Sequence, residues 1–365
     1  MDAMFRFIDR LQAQKGQLLL AFFSWLLCGS AWGQVSAFVQ ADHNSSSGLA
    51  TANHWLAKGL TPHSPVEWVH YRVDAGVGYE HAPWKISLAQ TRQGYLLGNS
   101  SAMFLAAQNE AKHTLDLSTP GTFPLQAEVW TLKATTLAAS FKHSLSSDLS
   151  VELKPYVMNI HDYEHSKGQF TLVNQGGNSQ VTGTLARTGM RDYGFLIHDQ
   201  PDAGWGAGLN LRSDWQTHWG STQLKVENLF NRLNFQTIHQ STRQYNVTAT
   251  GGQLNIGALP SVTGQYGYTS LQEHLPMTWL LSFQPVAIRG LTTAITGQDA
   301  QARWALGYEG RNTYGRLWLR TVAAHNWSIG VDWDIHPHWR AGIGATTDQN
   351  LKTPTVSSFY LAGYW

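Results

Sequence analysis

Between Val69 and Glu80 the chain alternates without a fault. Val69, Tyr71, Val73, Ala75, Val77 and Tyr79 are apolar, and His70, Arg72, Asp74, Gly76, Gly78 and Glu80 are polar or glycine. Successive side chains of a strand point to opposite faces, so this pattern predicts a strand with one apolar and one wet side. The rhythm recurs. It is carried by Leu149, Val151 and Leu153; by Trp205, Ala207, Leu209 and Leu211; by Leu224 and Val226; and by Met277, Trp279, Leu281 and Phe283. It returns at Trp304, Leu306 and Tyr308, at Trp327, Ile329, Val331, Trp333 and Ile335, and at Phe359, Leu361, Gly363 and Trp365. Val35, Ala37, Val39 and Ala41 supply a first strand. One such strand fits any half-wet sheet. Its repetition, in a chain with no run of about eighteen apolar residues after Gln34, points to spanning by strands. Backbone amides in lipid must bond internally, which leaves a closed cylinder.

The expected fold is therefore all-β: a transmembrane antiparallel up-and-down β-barrel of about sixteen strands, within a range of roughly twelve to eighteen. The range is wide because alternation blurs from Thr217 to Gly267, where Val226 to Arg232 reads as a strand end and turn. Short connections at His81–Pro83, Ser146–Asp148 and His336–His338 alternate with long ones near Asn44–Pro65, Gly94–Leu125 and Asp162–Arg191. Short periplasmic turns and long outer loops have this asymmetry, and both chain ends then fall on the periplasmic side. Within one long loop, Ser101 is placed to cap a helix over Ala102 to His113, with Met103, Phe104 and Ala107 on one side. That helix either folds into the lumen or orders an outer loop. Tyr79, Trp84, Trp333, Trp339 and Trp365 all fall at the inferred periplasmic rim, where an aromatic girdle belongs.

Composition fits this picture. Charged residues make up 13% of the chain, beside 34 glycines and 16 tryptophans, a set suited to tight turns, a crowded lumen and lipid interfaces. Residues 1–33 read as a cleaved secretory signal peptide. Arg6, Arg10 and Lys15 precede the apolar Leu18–Leu27, and Ala31-Trp32-Gly33 offers a small-x-small cleavage site. Residues 34–365 would form the barrel. Cleavage removes Cys28, the chain's only cysteine, which excludes thiol-based metal and redox chemistry. It leaves 22 basic against 22 acidic residues, a balance that argues against nucleic acid as a partner.

With the signal, the alternating strands, the thiol-free mature part and the terminal Phe359-x-Leu361-x-Gly363-x-Trp365 in view, the chain resembles Gram-negative outer-membrane β-barrel proteins. The resemblance covers most of the mature chain. It implies residence in the outer membrane, contact with outer-membrane lipid, and recognition of the carboxy-terminal strand by the barrel assembly machinery. Gly363 stands where that signal usually has a bulky residue. Asn228-Leu229-Phe230-Asn231 looks like a turn of TonB-dependent receptors, but the chain is too short for such a receptor with its plug, and nothing is transferred from it.

Three functions are compatible with such a barrel. The first is a porin-like channel for small polar solutes, lined by His70, Arg72, Asp74, Glu152, Lys154, Arg212, Asp214, Lys225, Glu227, Asp332, Asp334 and Arg340, all in the inward phase. Both signs are present, so strong ion preference is not expected. The second is a non-enzymatic structural, assembly or surface-interaction barrel with envelope protein partners. The third is a lipid hydrolase using His43 and Ser45, alternate residues that could pair as base and nucleophile. His161 and His165, within His-Asp-Tyr-Glu-His, would share one face of a regular strand and are the candidates for a metal. The expectation is no catalysis, no cofactor and no metal. The sequence leaves the oligomeric state open.

Overall fold

A computed structural model describes residues 34–45, 59–61, 66–110, 119–175, 178–190, 204–250, 263–298, 301–312, 315–322, 326–336, 338–348 and 355–364. The signal segment and Trp365 lie outside them. The elements run β1 (Gln34–Ser45), β2 (Val66–His81), β3 (Trp84–Asn99), α1 (Ser100–Glu110), β4 (Gly121–Ser144), β5 (Leu149–Asn174), β6 (Asn178–Gly189) and β7 (Gly204–Gln216). They continue with β8 (Gly220–Thr250), β9 (Thr263–Glu273), β10 (Thr278–Pro285), β11 (Leu291–Gln298), β12 (Gln301–Asn312), β13 (Gly315–Val322), β14 (Asn326–His336), β15 (Trp339–Asp348) and β16 (Thr355–Tyr364). All sixteen strands belong to one antiparallel sheet, and β1 pairs with β16 from Ser36↔Tyr364 to Asp42↔Ser358 to close it.

The ring has fourteen lanes rather than sixteen. β6 and β7 both lie between β5 and β8, one above the other in a single lane. β9 and β10 likewise occupy successive stretches alongside β8. The parts of β4, β5, β6, β8 and β9 farthest from the short turns form a sheet that rises beyond the rest of the wall.

The outward phase carries the apolar residues that alternation predicts. On β7, Trp215 and Trp205 both point outward, each about half exposed. Ten residues apart, on a strand tilted by about 40°, they are separated by about 26 Å along the barrel axis, close to the height of an outer-membrane apolar band. Tyr79, Trp84, Trp333 and Trp339 sit at the short-turn end, and Trp84 packs on Phe141 with ring centroids 4.6 Å apart. A second aromatic level, at Trp205, Trp304 and Trp327, marks the opposite rim and was not anticipated.

Several expectations fail for physical reasons. The region from Thr217 to Gly267 blurs because β8 is one strand of 31 residues, not a strand end and a turn. Its outward residues opposite β7 are Leu224, Val226, Leu229, Arg232 and Asn234, so the spacing twice becomes three instead of two. Asn228 (φ 59°) and Phe230 (φ 50°) take the left-handed conformation that makes these slips possible. Asn tolerates that region, whereas for Phe it is strained. Where a loop was expected from Asp162 to Arg191, the described residues form the far half of β5, to Asn174, and β6, from Asn178 to Gly189; above the membrane, lipid no longer demands alternation. The helix is capped by Asn99, whose Oδ1 accepts the Ala102 amide at 3.0 Å, and not by Ser101. Ser101 instead ties the helix to Thr61, donating to its carbonyl at 2.9 Å. The helix does not enter the lumen. Met103 covers Gly98, and Ala102 and Leu105 pack on Phe123, Leu125 and Leu172, in the outward phase of β4 and β5.

Candidate functional site

The barrel interior divides lengthwise. On the side of β1, β2 and β10–β16 it is hollow. A cavity of about 680 Å³ opens at the short-turn end beside Gln216, Ser221, Gln284 and Glu309. These four residues also border a second cavity of about 260 Å³. Leu280, Ala294, Ala305 and Arg316 are shared in turn with a third chamber of about 380 Å³, reaching Trp68, Arg303 and Thr346. At its far end the Arg303 guanidinium lies 5.4 Å from the centre of the Trp68 ring, joining β12 to β2 across the lumen. Trp318 lies flat against the inner wall: a β-carbon at Gly330 would stand 2.1 Å from its ring, so only glycine permits this close approach.

The chamber walls are charged and internally paired. Arg72 donates to Asp74 at 2.7 Å and reaches Glu227, on the far side of four intervening lanes, at 3.7 Å. Lys225 meets the same Glu227 at 2.6 Å. Arg316 bridges Asp332 at 2.7 Å and Glu309 at 3.4 Å, at the boundary between the two inner chambers. Arg72 and the four carboxylates are largely shielded from solvent, whereas Lys225 and Arg316 are nearly half exposed, so it is chiefly on the Arg72–Asp74–Glu227 side that removing one partner strands a buried charge.

On the side of β4, β5, β7 and β8 the interior is filled. Leu132, Ala134, Tyr156, Met158, Ile160, Tyr163, Leu233, Phe235 and Ile238 form a core within the wall's curve. Leu275, from the link between β9 and β10, is buried in it. That link departs from the sheet because Pro276 has no amide hydrogen to give to β8. Asparagine side chains replace the missing ladder. Asn228 donates to the Pro276 carbonyl at 3.0 Å and accepts the Tyr156 hydroxyl at 3.0 Å. Asn231 donates to the Leu275 carbonyl at 2.9 Å and accepts the Leu275 amide. Leu275 and Pro276 thereby extend into the barrel until only a void of about 20 Å³, roughly one water's worth, remains beside His70, Gln93 and Tyr95 of the opposite wall.

Immediately before this link, Glu273 joins a cluster above the apolar band. His165 donates to Glu128 at 2.9 Å and to Glu273 at 3.1 Å, and the Tyr163 hydroxyl donates to Glu273. Burial alone would lower the His165 pKa, but the two carboxylates overcome it and raise it to about 9. The hydrogen bond from His165 holds Glu128 below the usual carboxylate range, and burial followed by Glu273 pushes the Tyr163 phenol up.

Of the residues singled out in the sequence, His70, Arg72, Lys225, Glu227 and Asp332 line the 380 Å³ chamber and Asp214 the 260 Å³ one. Asp74 holds Arg72 and accepts the Thr91 hydroxyl at 2.7 Å. Glu152 and Lys154 pair in register with Arg212 and Asn210 on the inward phase. Arg212 binds Asp214 at 2.9 Å near the short-turn end, and Arg340 stacks 5.7 Å over Tyr364. The side chains of His43, Ser45 and Asp334 lie outside the described residues. His161 and His165 do not share a face. A bulge between Ile160 and Asp162 leaves His161 outside, 2.7 Å from the Thr135 hydroxyl, while His165 points in. Asp42, Arg303, Glu309 and Arg316 were missed, although each lies in the polar phase of its own alternating strand. The closure at Leu275–Pro276 had one available signal, a proline inside a strand-like run.

No protein-family model matches the chain, and no curated protein matches it. Solved structures do. The toluene transporter TodX of P. putida shares 10% identity over 93% of this chain and 90% of that chain, with a TM-score of 0.38. The ferric yersiniabactin uptake receptor FyuA of Yersinia pestis shares 11% identity, covering 84% of this chain and 48% of that chain, with a TM-score of 0.26. The outer membrane protease OmpT of Escherichia coli shares 8% identity over 91% of this chain and 92% of that chain, with a TM-score of 0.19. Similarity this distant transfers nothing of what those proteins carry, bind or cut.

Proposed function

We propose that the protein is a gated outer-membrane channel for small polar solutes, held in lipid by its apolar band and two aromatic levels. The observation that carries this reading is the series of cavities of about 680, 260 and 380 Å³, each bordered by charged side chains, leading from the short-turn end to a blind end. A barrel serving only as a scaffold has no need of a hollow, charged interior along half its wall. Cross-lumen contacts made by side chains can open without unzipping a strand. Chamber charges of both signs, mostly paired with one another, imply little preference between cations and anions.

The test is single-channel recording of the purified protein in planar bilayers. Small, intermittent current steps are expected, with a reversal potential near zero in a potassium chloride gradient. Complete absence of conductance, in the native protein and in variants that loosen the closure, would overturn the reading.

A further inference from the structure

Resting on that channel reading, we infer that the link His274–Met277 is both the constriction and the gate of the pathway, and that a segment of the wall, not an outer loop, closes it. Four observations converge. Pro276 takes the link out of the sheet at the level where Asn228 and Phe230 take left-handed conformations in the neighbouring strand. The link then extends inward until a void of about 20 Å³ separates it from β2 and β3. That void and the 380 Å³ chamber share His70, so the closure stands directly at the blind end. The strands on either side stay anchored without it: Thr278 pairs with Glu227 and Gln298, and Glu273 with Leu233.

The link is built to move as a unit. Backbone ladder bonds would have tied it to the wall along its whole length. It is held instead by the side-chain amides of Asn228 and Asn231, by the His274 imidazole against the Asn231 carbonyl and by the burial of Leu275. His165, bridging Glu273 to Glu128, fixes its upstream hinge. Withdrawing Leu275 and Pro276 towards the wall would join the chamber to the space above it, while the ring keeps all fourteen lanes.

Paired cysteines provide the test, because Cys28 is the chain's only thiol and can be replaced by serine. Leu132→Cys with Leu275→Cys would lock the link onto β4, since both residues lie in the same buried cluster. The oxidised protein should show at least a tenfold lower open probability than the same molecules after reduction. Asn231→Ala, which unfastens the link, should open several-fold more often than the native protein, with folding checked by heat-modifiable mobility. Should the native protein conduct while neither cross-linking nor Asn231→Ala changes its current, the gate is refuted and the channel stands. Should the native, reduced double-cysteine and Asn231→Ala proteins all fail to conduct, the channel reading falls, and the gate with it.

Discussion

Along β4, β5 and β8 the inward positions include Leu132, Ala134, Met158, Ile160, Leu233 and Phe235; along β11–β14 they include Thr296, Arg303, Arg316, Ser328 and Asp332. Both arcs show lipid a similar outer surface, with Leu153, Val157 and Trp205 on one and Trp304, Leu319 and Ile329 on the other. The outer phase is thus dictated by the membrane, while the inner phase is free to become either a packed core or a watered chamber. In the filled arc the fold is held by burial of apolar surface. Among the described residues of the hollow arc no such core forms, and ion pairs across and along the wall take its place.

The sharpest way to break this comparison is to remove a charge that faces the hollow, from the short-turn half of β8. Glu227 pairs with Lys225 at 2.6 Å and joins the buried Arg72 across the lumen. Glu227→Ala should therefore destabilise the barrel by about 3–5 kcal/mol, the cost typical of stranding buried charges. Denaturant-induced unfolding in detergent, followed by tryptophan fluorescence, reads this directly. A cost below about 1 kcal/mol would mean that water already screens the pair and that the chamber is wetter than its geometry implies. In the filled arc, Ile160 is fully buried, and Ile160→Ala should cost about 2–5 kcal/mol through lost burial and a residual cavity. It should leave single-channel conductance unchanged. A larger current from this variant would show that the filled arc is also part of the pathway.

The same contrast explains what the sequence revealed. Where lipid lies on one side and polar groups on the other, as in β2 or β14, alternation is legible residue by residue. Arg72 and Asp332 could be placed inside without a structure. In β5 both faces are apolar from Pro155 to Met158, so Met158 and Ile160 carried no contrast with Val157, and in β8 the contrast inverts, with Arg232 and Asn234 outward beside the buried Leu233 and Phe235. Bulges at His161 and around Asn228 then moved the phase, which separated the two candidate metal histidines and hid the continuity of β8. The fourteen-lane ring was illegible because two lanes are each built from two strands, and no local pattern reports that β7 continues the line of β6. The closure was legible only as Pro276 in a strand-like run, since its partners Asn228 and Asn231 lie more than forty residues away.

A smaller effect probes the junction between the arcs. The His165 pKa is raised from 6.5 to about 9 in the folded state, so its bridge between Glu128 and Glu273 stabilises fully below about pH 6.5. That contribution, about 2 kcal/mol after allowance for partial exposure, fades as pH rises through 9. Stability measured from pH 6 to 10 should fall over that window in the native protein and stay flatter in His165→Gln. Open probability should rise over the same window if the hinge at Glu273 is loosened. Matching pH profiles for the two proteins would show that His165 does not hold the link.

The smallest effect is expected where the hollow arc meets water. Arg212 bonds Asp214 at 2.9 Å, a geometry as good as that of the inner pairs, yet half its side chain is exposed at the mouth. Solvent screening and the entropy of a long side chain offset most of the attraction, so Arg212→Ala should cost only about 0.2–1 kcal/mol. Its effect belongs to permeation instead. Asp214 borders the 260 Å³ cavity and would keep its bond from Gln223 at 2.7 Å while losing its nearest cation. The mouth then gains net negative charge, and the reversal potential in a potassium chloride gradient should move towards cation preference by a few millivolts at low salt and hardly at all near 1 M, where screening acts over about 3 Å. A large loss of stability with unchanged selectivity would invert the ranking, placing structural weight at the rim and leaving the inner Arg72, Lys225 and Glu227 pairs as the dispensable ones.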